Sequence, residues 1–273
     1  MLAHLRQSFN GDIPNLSRLS DCAVKRSGEF LNAPLGYVGS YKMKSYYFKL
    51  AVLHRLGYAF APPTNPCVFN HTHARPQRVE ELNRHMLICK VKGGPIKRHD
   101  KLRDYLGGVA MNAHVAVTYE QRDLVDRRQH GNLRPGDVVL REFRDGVDTV
   151  VDVTYSDPLN PQIRTGNASK GGHSALLRDD KKIAKYRDKV KPREFIPFSI
   201  SLYGAPGPRA VGLVDQLAYR IAQMREVPKD QVADMLWVGV STVSFNSFAE
   251  MIDKHTPCLR TQTLFDALPP AGD

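Results

Sequence analysis

The sequence contains little cysteine. Four cysteines, Cys22, Cys67, Cys89 and Cys258, are spread unevenly over 273 residues. So few and so irregular a set excludes a small disulfide-stapled scaffold and favours a reducing compartment. The chain must then be stabilised by an apolar core, and its 42% of hydrophobic residues fit an ordinary globular protein.

Long apolar runs and repeats are also absent. No stretch reaches the roughly 18 apolar residues of a membrane span. The opening segment, MLAHLRQSFNGDIP, lacks the regions of a secretory signal, and no internal repeat or low-complexity tract is visible. The sequence therefore predicts an intracellular protein without a membrane partner. In a eukaryotic host, nuclear localisation would follow from its partner.

Acidic residues are in short supply relative to basic ones. The chain has 39 Lys and Arg against 28 Asp and Glu, a formal net charge of +11 and a pI of about 9.5. A surplus of this size favours a polyanionic partner, because neutralised phosphates release counterions. The alternative is a solvated basic surface without a partner.

The pattern along the chain divides it into four parts. Residues 1–61 are predicted to be helical and end at the breaker APPTNP, residues 62–97 are rich in His, Cys, Lys and Arg, and residues 225–273 should form one or two helices. Residues 98–224 follow the order helix, strand, strand, strand, helix, strand, helix. This order predicts an α/β (α+β) domain with a mixed central β-sheet flanked by helices, with helical extensions at both ends.

Two acids occur on a predicted hairpin. The strands GDVVLREF and DTVVDVTY are joined at Asp145-Gly146, the strongest short hairpin signal in the sequence. Asp152 lies inside the second strand and Asp137 opens the first, so both should lie near the same end of the paired unit. Two converging carboxylates repel each other unless a cation separates them or one is protonated. Oxygen ligands of this kind suit Mg²⁺.

The same acids have a plain structural interpretation. Asp137 could cap a turn and Asp152 could pair with an Arg or Lys. If the acids hold a metal, a cation is still needed nearby. The basic helix LLRDDKKIAKYRDK offers Lys181, Lys182 and Lys185 for that role, and its own alternative is a solvated basic face. Glu120, at the end of the strand AVTYE, is a further candidate Mg²⁺ ligand.

Metal-ligating residues also cluster in the preceding segment. Cys67, His71, His73, His85 and Cys89 fall within 23 residues. A tetrahedral Zn²⁺ site needs four nitrogen or sulfur ligands, which Cys67, His71 (or His73), His85 and Cys89 would supply. The alternative is a buried Cys89 with solvent-exposed histidines in a loop.

These elements together resemble a known family. The chain is similar to the C-terminal region of site-specific non-long-terminal-repeat retrotransposon polyproteins, where a Cys-Cys-His-Cys zinc knuckle precedes a restriction-like endonuclease of the PD-(D/E)XK superfamily. The resemblance covers roughly residues 67–224. Its matching pieces are HMLICKVKGGPIKRHDKLRDYL, RPGDVVLREF, TVVDVTYSDP, KKIAKY and FIPFSISLYGAPGP. SGEFLNAP and FKLAVLHRLGY resemble the segment that joins the reverse transcriptase to this region.

The resemblance implies a role for each acid. Asp137 matches the family's first catalytic acid and Asp152 its second. The lysine usually expected two residues later is Thr154 here, so Lys182 or Lys185 on the next helix would take its place.

The chain also departs from the family pattern. His99 and Asp100 match its Arg-His-Asp/Asn element, but the first cysteine pair of the knuckle is reduced to Cys67. Pro-Gly-Asp replaces a direct Pro-Asp, and the separation between the second acid and Lys185 is long.

The implied function is a Mg²⁺-dependent DNA endonuclease. In the family, the nick in target DNA primes reverse transcription, so the implied partners are DNA, element RNA and a fused or associated reverse transcriptase. Nucleic-acid-binding residues would be Lys97, Arg98, His99, Lys101 and Lys181, which contact phosphates. The alternative is a catalytically decayed nucleic-acid-binding remnant. The sequence leaves the oligomeric state open.

Overall fold

A computed structural model describes residues 7–9, 11–33, 42–58, 60, 79–125, 131 and 133–255. We number the helices α1 (Ile13–Cys22), α2 (Ser45–Leu56), α3 (Val79–Ile88), α4 (Gly94–Asn112), α5 (Arg164–Ser169), α6 (His173–Tyr186), α7 (Pro208–Arg225) and α8 (Lys229–His255). The strands are β1 (Val117–Tyr119), β2 (Val138–Arg144), β3 (Val147–Ser156) and β4 (Glu194–Ser201). None of the helices in these ranges has the length and apolar character needed to cross a bilayer.

The four strands form one mixed sheet in the order β1-β2-β3-β4. The first three are antiparallel neighbours, and β4 runs parallel to β3. Asp145 and Gly146 have φ angles of +49° and +74° in the turn between β2 and β3. Two consecutive left-handed residues match the twist of a tight hairpin, which explains why this dipeptide signals the turn so well.

Helices cover both faces of the sheet. A parallel connection requires a crossover, and α5 and α6 supply it between β3 and β4. On this face, Val150 of β3 packs with Tyr186 of α6 and Phe195 of β4. On the opposite face, Val151 and Val153 belong to the main core, which α4, α7 and α8 complete. Alternate residues of β3 thus serve different layers.

The long helix α8 unites the helical parts of the chain. It contacts α2, α3, α4 and α7. Trp237 lies in the main core, whereas Phe245 and Phe248 enter a second core with Leu50 of α2 and Met86 of α3. Residues from the predicted N-terminal and C-terminal extensions are therefore buried together.

The predicted mixed sheet flanked by helices is confirmed, and between 98 and 224 the structure adds one short helix, α5, to the predicted order of elements. Two bounds differ. The first helix of this unit starts at Gly94, because Pro95 occupies an early helical position where its missing N–H is harmless. The first strand spans Val117–Tyr119, where it pairs with β2.

Candidate active site

The turn before β2 places the Asp137 carboxylate against β3. Gly136 has a φ of +85°, and a Cβ there would meet Val150 at 2.1 Å, so glycine allows the close approach. The Asp137 N–H donates to the Val151 carbonyl at 2.8 Å, and Asp137 Oδ2 accepts from the Val153 N–H at 2.6 Å. These two bonds fall on either side of Asp152 along the strand.

Asp152 is a buried acid that faces α6. Its residue exposure is 4%, and Lys182 Nζ lies 2.7 Å from Asp152 Oδ2. Burial raises the pKa of Asp152, the Lys182 charge lowers it, and the nearby Asp137 charge raises it again. The two acids are therefore close enough to repel each other, as the hairpin argument predicts.

The spacing of helix and strand explains why Lys182 reaches this acid. Arg178 and Lys182 are one helical turn apart, a rise of about 6 Å, and Thr154 and Asp152 are separated by about 6.6 Å along the strand. Arg178 Nε donates to Thr154 Oγ1 at 3.0 Å, so the two pairs of side chains are in register. Arg178 and Lys182 therefore lie on the side of α6 that faces β3.

The other two lysines point elsewhere. Lys185 Nζ lies 4.8 Å from the centroid of the Tyr186 ring, and Lys181 is exposed. Of the predicted lysines, the structure brings Lys182 to the acids. Lys181 and Lys185 lie on the outer side of α6, where they can meet solvent or a polyanion.

His99 completes the cluster from α4. Its Nε2 lies 3.0 Å from Asp137 Oδ2, and its Nδ1 lies 3.2 Å from Asp100 Oδ1. Burial opposes protonation of this ring, but the hydrogen bonds and charges of Asp137 and Asp100 outweigh it and raise the pKa of His99 to about 9. At neutral pH, His99 is thus an imidazolium that balances the charge of Asp137.

Glu120 lies beside Asp137 in the sheet, but its carboxylate turns away. The Glu120 N–H donates to the Asp137 carbonyl at 3.0 Å, because β1 pairs with β2 here. The side chain pairs with Arg103 Nη1 at 2.8 Å. The predicted third Mg²⁺ ligand is therefore engaged by an arginine of α4 and does not join Asp137 and Asp152.

The predicted phosphate contacts have mixed outcomes. Lys97 is exposed, and Lys101 pairs with Glu250 at 2.5 Å. Arg98 corrects the prediction of a solvent-facing phosphate contact, because its side chain is buried in the structure. It donates to the Leu87 carbonyl at 2.9 Å.

The reason for the burial of Arg98 is its aromatic surroundings. Its guanidinium lies 4.4 Å from the centroid of the Tyr155 ring and 5.4 Å from that of Phe248. Burial lowers the pKa of Arg98 to about 10, so the group stays cationic at neutral pH. Such a cation between aromatic rings is a packing element.

The predicted zinc ligands are only partly within the described residues. Cys67, His71 and His73 fall outside them. His85 and Cys89 are described, and the structure adds His255 from the end of α8. The ligand atoms of these three residues all lie within 4.8 Å of one another. Sequence reasoning missed His255, which follows Cys89 by 166 residues and meets it only through tertiary contacts.

Comparison with known proteins adds no family assignment. No protein-family model matches the chain, and no curated protein matches it either.

Proposed function

We propose that this chain is a Mg²⁺-dependent DNA endonuclease that hydrolyses a phosphodiester bond. The observation that carries the proposal is the meeting of Asp137, Asp152 and Lys182 at one edge of β3, with His99 beside them. An acid kept in an apolar strand next to a second acid is unfavourable for stability alone. Such arrangements are concentrated at functional sites.

The donor set fits a hard cation. Asp137 and Asp152 would hold Mg²⁺, which prefers carboxylate oxygens and completes its shell with water and substrate phosphate. Bound there, the ion would supply electrostatic stabilisation of the phosphoryl transition state and activation of water. Lys182 would neutralise charge developing on the phosphate, and His99 would hold the Asp137 carboxylate in place.

The substrate follows from the charge of the chain. The net charge of +11 favours a nucleic acid, and the exposed Lys97, Lys181 and Lys185 would contact backbone phosphates without reading sequence. The resemblance to retrotransposon endonucleases supports DNA as the substrate and target-primed reverse transcription as the setting. Element RNA and a reverse transcriptase are then the proposed partners, and the nucleus of a eukaryotic host is the proposed location.

A plasmid nicking assay tests the proposal. The purified chain is incubated with supercoiled plasmid and Mg²⁺, and the open circular product is measured. We expect nicking that chelation abolishes and that Asp152→Asn removes while the circular dichroism spectrum is unchanged. Nicking at the wild-type rate by folded Asp152→Asn protein would refute the assignment.

One observation favours a second function, a non-catalytic nucleic-acid-binding module. Each acid already has a protein cation, since Lys182 pairs with Asp152 and His99 with Asp137. Internal ion pairs of this kind would neutralise both carboxylates without a metal. Salt-sensitive DNA binding, with no cleavage at any Mg²⁺ concentration, would favour this function over the first.

A further inference from the structure

Three metal-ligating side chains from distant parts of the sequence meet at the end of α8. His85 lies in the last turn of α3, and Cys89 follows one turn later, where its N–H still donates to the His85 carbonyl at 2.8 Å. His255 is the last residue of α8. The ligand atoms of all three lie within 4.8 Å of one another, so one sphere can contain them.

The separations are compatible with one metal ion. Zn–N bonds of about 2.0–2.1 Å and Zn–S bonds of about 2.3 Å place tetrahedral ligands roughly 3.3–3.8 Å apart. A contraction of about 1 Å would bring the most distant pair into that range, which small side-chain rotations can supply. His85 and Cys89 are four residues apart on a continuous helical turn, which directs both toward the same side.

A backbone hydrogen bond fixes the tautomer of the His255 ring. Its Nδ1 lies 2.8 Å from the Met251 carbonyl oxygen. A carbonyl oxygen only accepts, so Nδ1 carries the proton. Metal-binding histidines commonly donate their other ring N–H to a carbonyl or carboxylate in this way. The His85 and His255 rings are 6.1 Å apart between centroids and nearly perpendicular, at 86°.

We propose that His85, Cys89 and His255 bind one Zn²⁺ ion that fastens the end of α8 to α3. Two imidazoles and a thiolate suit zinc, whereas Mg²⁺ and Ca²⁺ select oxygen ligands. The ligand set differs from a knuckle formed within one short segment, because His255 follows Cys89 by 166 residues. Zinc at this position has a structural role, because it ties α8 to an element near the start of the sheet domain.

Cobalt substitution tests the ligand set on the full chain. Co²⁺ is titrated into metal-free protein, and the sulfur-to-cobalt charge-transfer band and the intense visible bands of tetrahedral cobalt are recorded. We expect one equivalent of Co²⁺ with both signatures, displaced by Zn²⁺. His255→Asn should weaken binding by at least about 100-fold, more than the loss of an outer-shell partner, and Cys89→Ser should remove the charge-transfer band.

A matched control is available at His114, an exposed histidine with a φ of +53°. Asparagine tolerates that backbone conformation, so His114→Asn removes one histidine without strain and should bind Co²⁺ like the wild type. Thermal unfolding measurements check that each variant is folded. Zn²⁺ should raise the midpoint of the wild type and of His114→Asn, but leave that of His255→Asn unchanged.

Two outcomes would overturn the inference. One is full Co²⁺ affinity in His255→Asn, which would assign the metal to ligands outside α8. The other is a wild-type cobalt complex without the sulfur charge-transfer band. If Cys67→Ser also loses metal, Cys67 becomes the fourth ligand and the role of His255 stands. None of these measurements depends on nuclease activity, so a failure of the endonuclease proposal would leave them unaffected.

Discussion

Two buried acids in this molecule have opposite surroundings. Asp152 faces one lysine and is opposed by Asp137. Asp21, at the end of α1, is fully buried, and its oxygens accept from the Gly172 N–H at 2.9 Å, the Asn167 amide at 3.2 Å and the Ser201 hydroxyl.

The difference separates structure from candidate function. Burial raises the pKa of Asp21, as it does that of Asp152, but neutral donors from three elements surround the Asp21 carboxylate. Those bonds hold α1 to the crossover and to the end of β4. Asp152 instead has the Lys182 ammonium as its partner and the Asp137 charge beside it. Under the proposed function, the charge of Asp152 is what the site uses.

The largest expected effect concerns activity. Asp152→Asn should reduce plasmid nicking by about 10³-fold, the scale for losing one electrostatic group of a catalytic site. The free energy of unfolding should change by less than about 1 kcal/mol, because the variant removes a charge that burial disfavours. Urea unfolding and nicking rates measured on the same preparation check both statements. A large loss of stability in this variant would remove the contrast with Asp21.

The second-largest expected effect concerns stability and leaves activity unchanged. Asp21→Ala leaves three buried donors without their acceptor, and we expect it to lower the free energy of unfolding by about 3 kcal/mol. Nicking per folded molecule should be unchanged. Asp12→Ala is the matched control on the same helix, since Asp12 accepts from the Asn15 N–H at the N-cap, and its loss should cost about 1 kcal/mol. Equal losses in the two variants would contradict the role given to Asp21.

A third test compares two lysines of the same helix. Lys182→Met should reduce nicking by roughly 50–100-fold, as expected for one charge that stabilises a transition state. Lys185→Met removes the same charge from α6 but no contact with the acids, so it should lower nicking less than about 3-fold. Both variants should lose DNA affinity equally, which a salt titration of binding measures. Equal nicking losses would mean that α6 acts only through its overall charge.

The smallest effect comes from a third buried acid. Asp179 accepts from the Arg209 N–H at 3.3 Å at the start of α7, and burial raises the pKa of Asp179 to about 6. A raised pKa in the folded state means that stability falls as pH rises from about 4 to 6. Relative to Asp179→Asn, the wild type should therefore lose on the order of 2 kcal/mol between pH 4 and pH 7. Paired urea titrations measure the difference, and a constant difference would contradict it.

The sequence was most informative for features that depend on neighbouring residues, such as turns and strand alternation. The Asp145-Gly146 turn fixes the β2–β3 pairing, and alternation along β3 then sends Asp152 and Val151 to opposite faces. The sequence did not show which face of α6 packs on the sheet, because three lysines fall within five residues. Selecting Lys182 required the packing of Thr154 against Arg178, a contact between separate elements.

Longer-range features were not readable from the sequence. Arginine is a residue type that commonly contacts phosphate. The Arg98 guanidinium nevertheless lies between the rings of Tyr155 and Phe248, which are far from it along the chain. His255 meets Cys89 only because α8 runs back across α4 to α3. Both outcomes depend on tertiary contacts, which a pattern of neighbouring residues does not encode.

The position of α8 has a consequence for synthesis on the ribosome. Trp237, Phe245 and Phe248 are buried in the two cores that the earlier helices begin. Those helices leave the exit tunnel first and carry exposed apolar faces until α8 follows. The nascent chain must therefore remain incompletely folded until its last described helix has been translated. During that time it is exposed to chaperones and proteases.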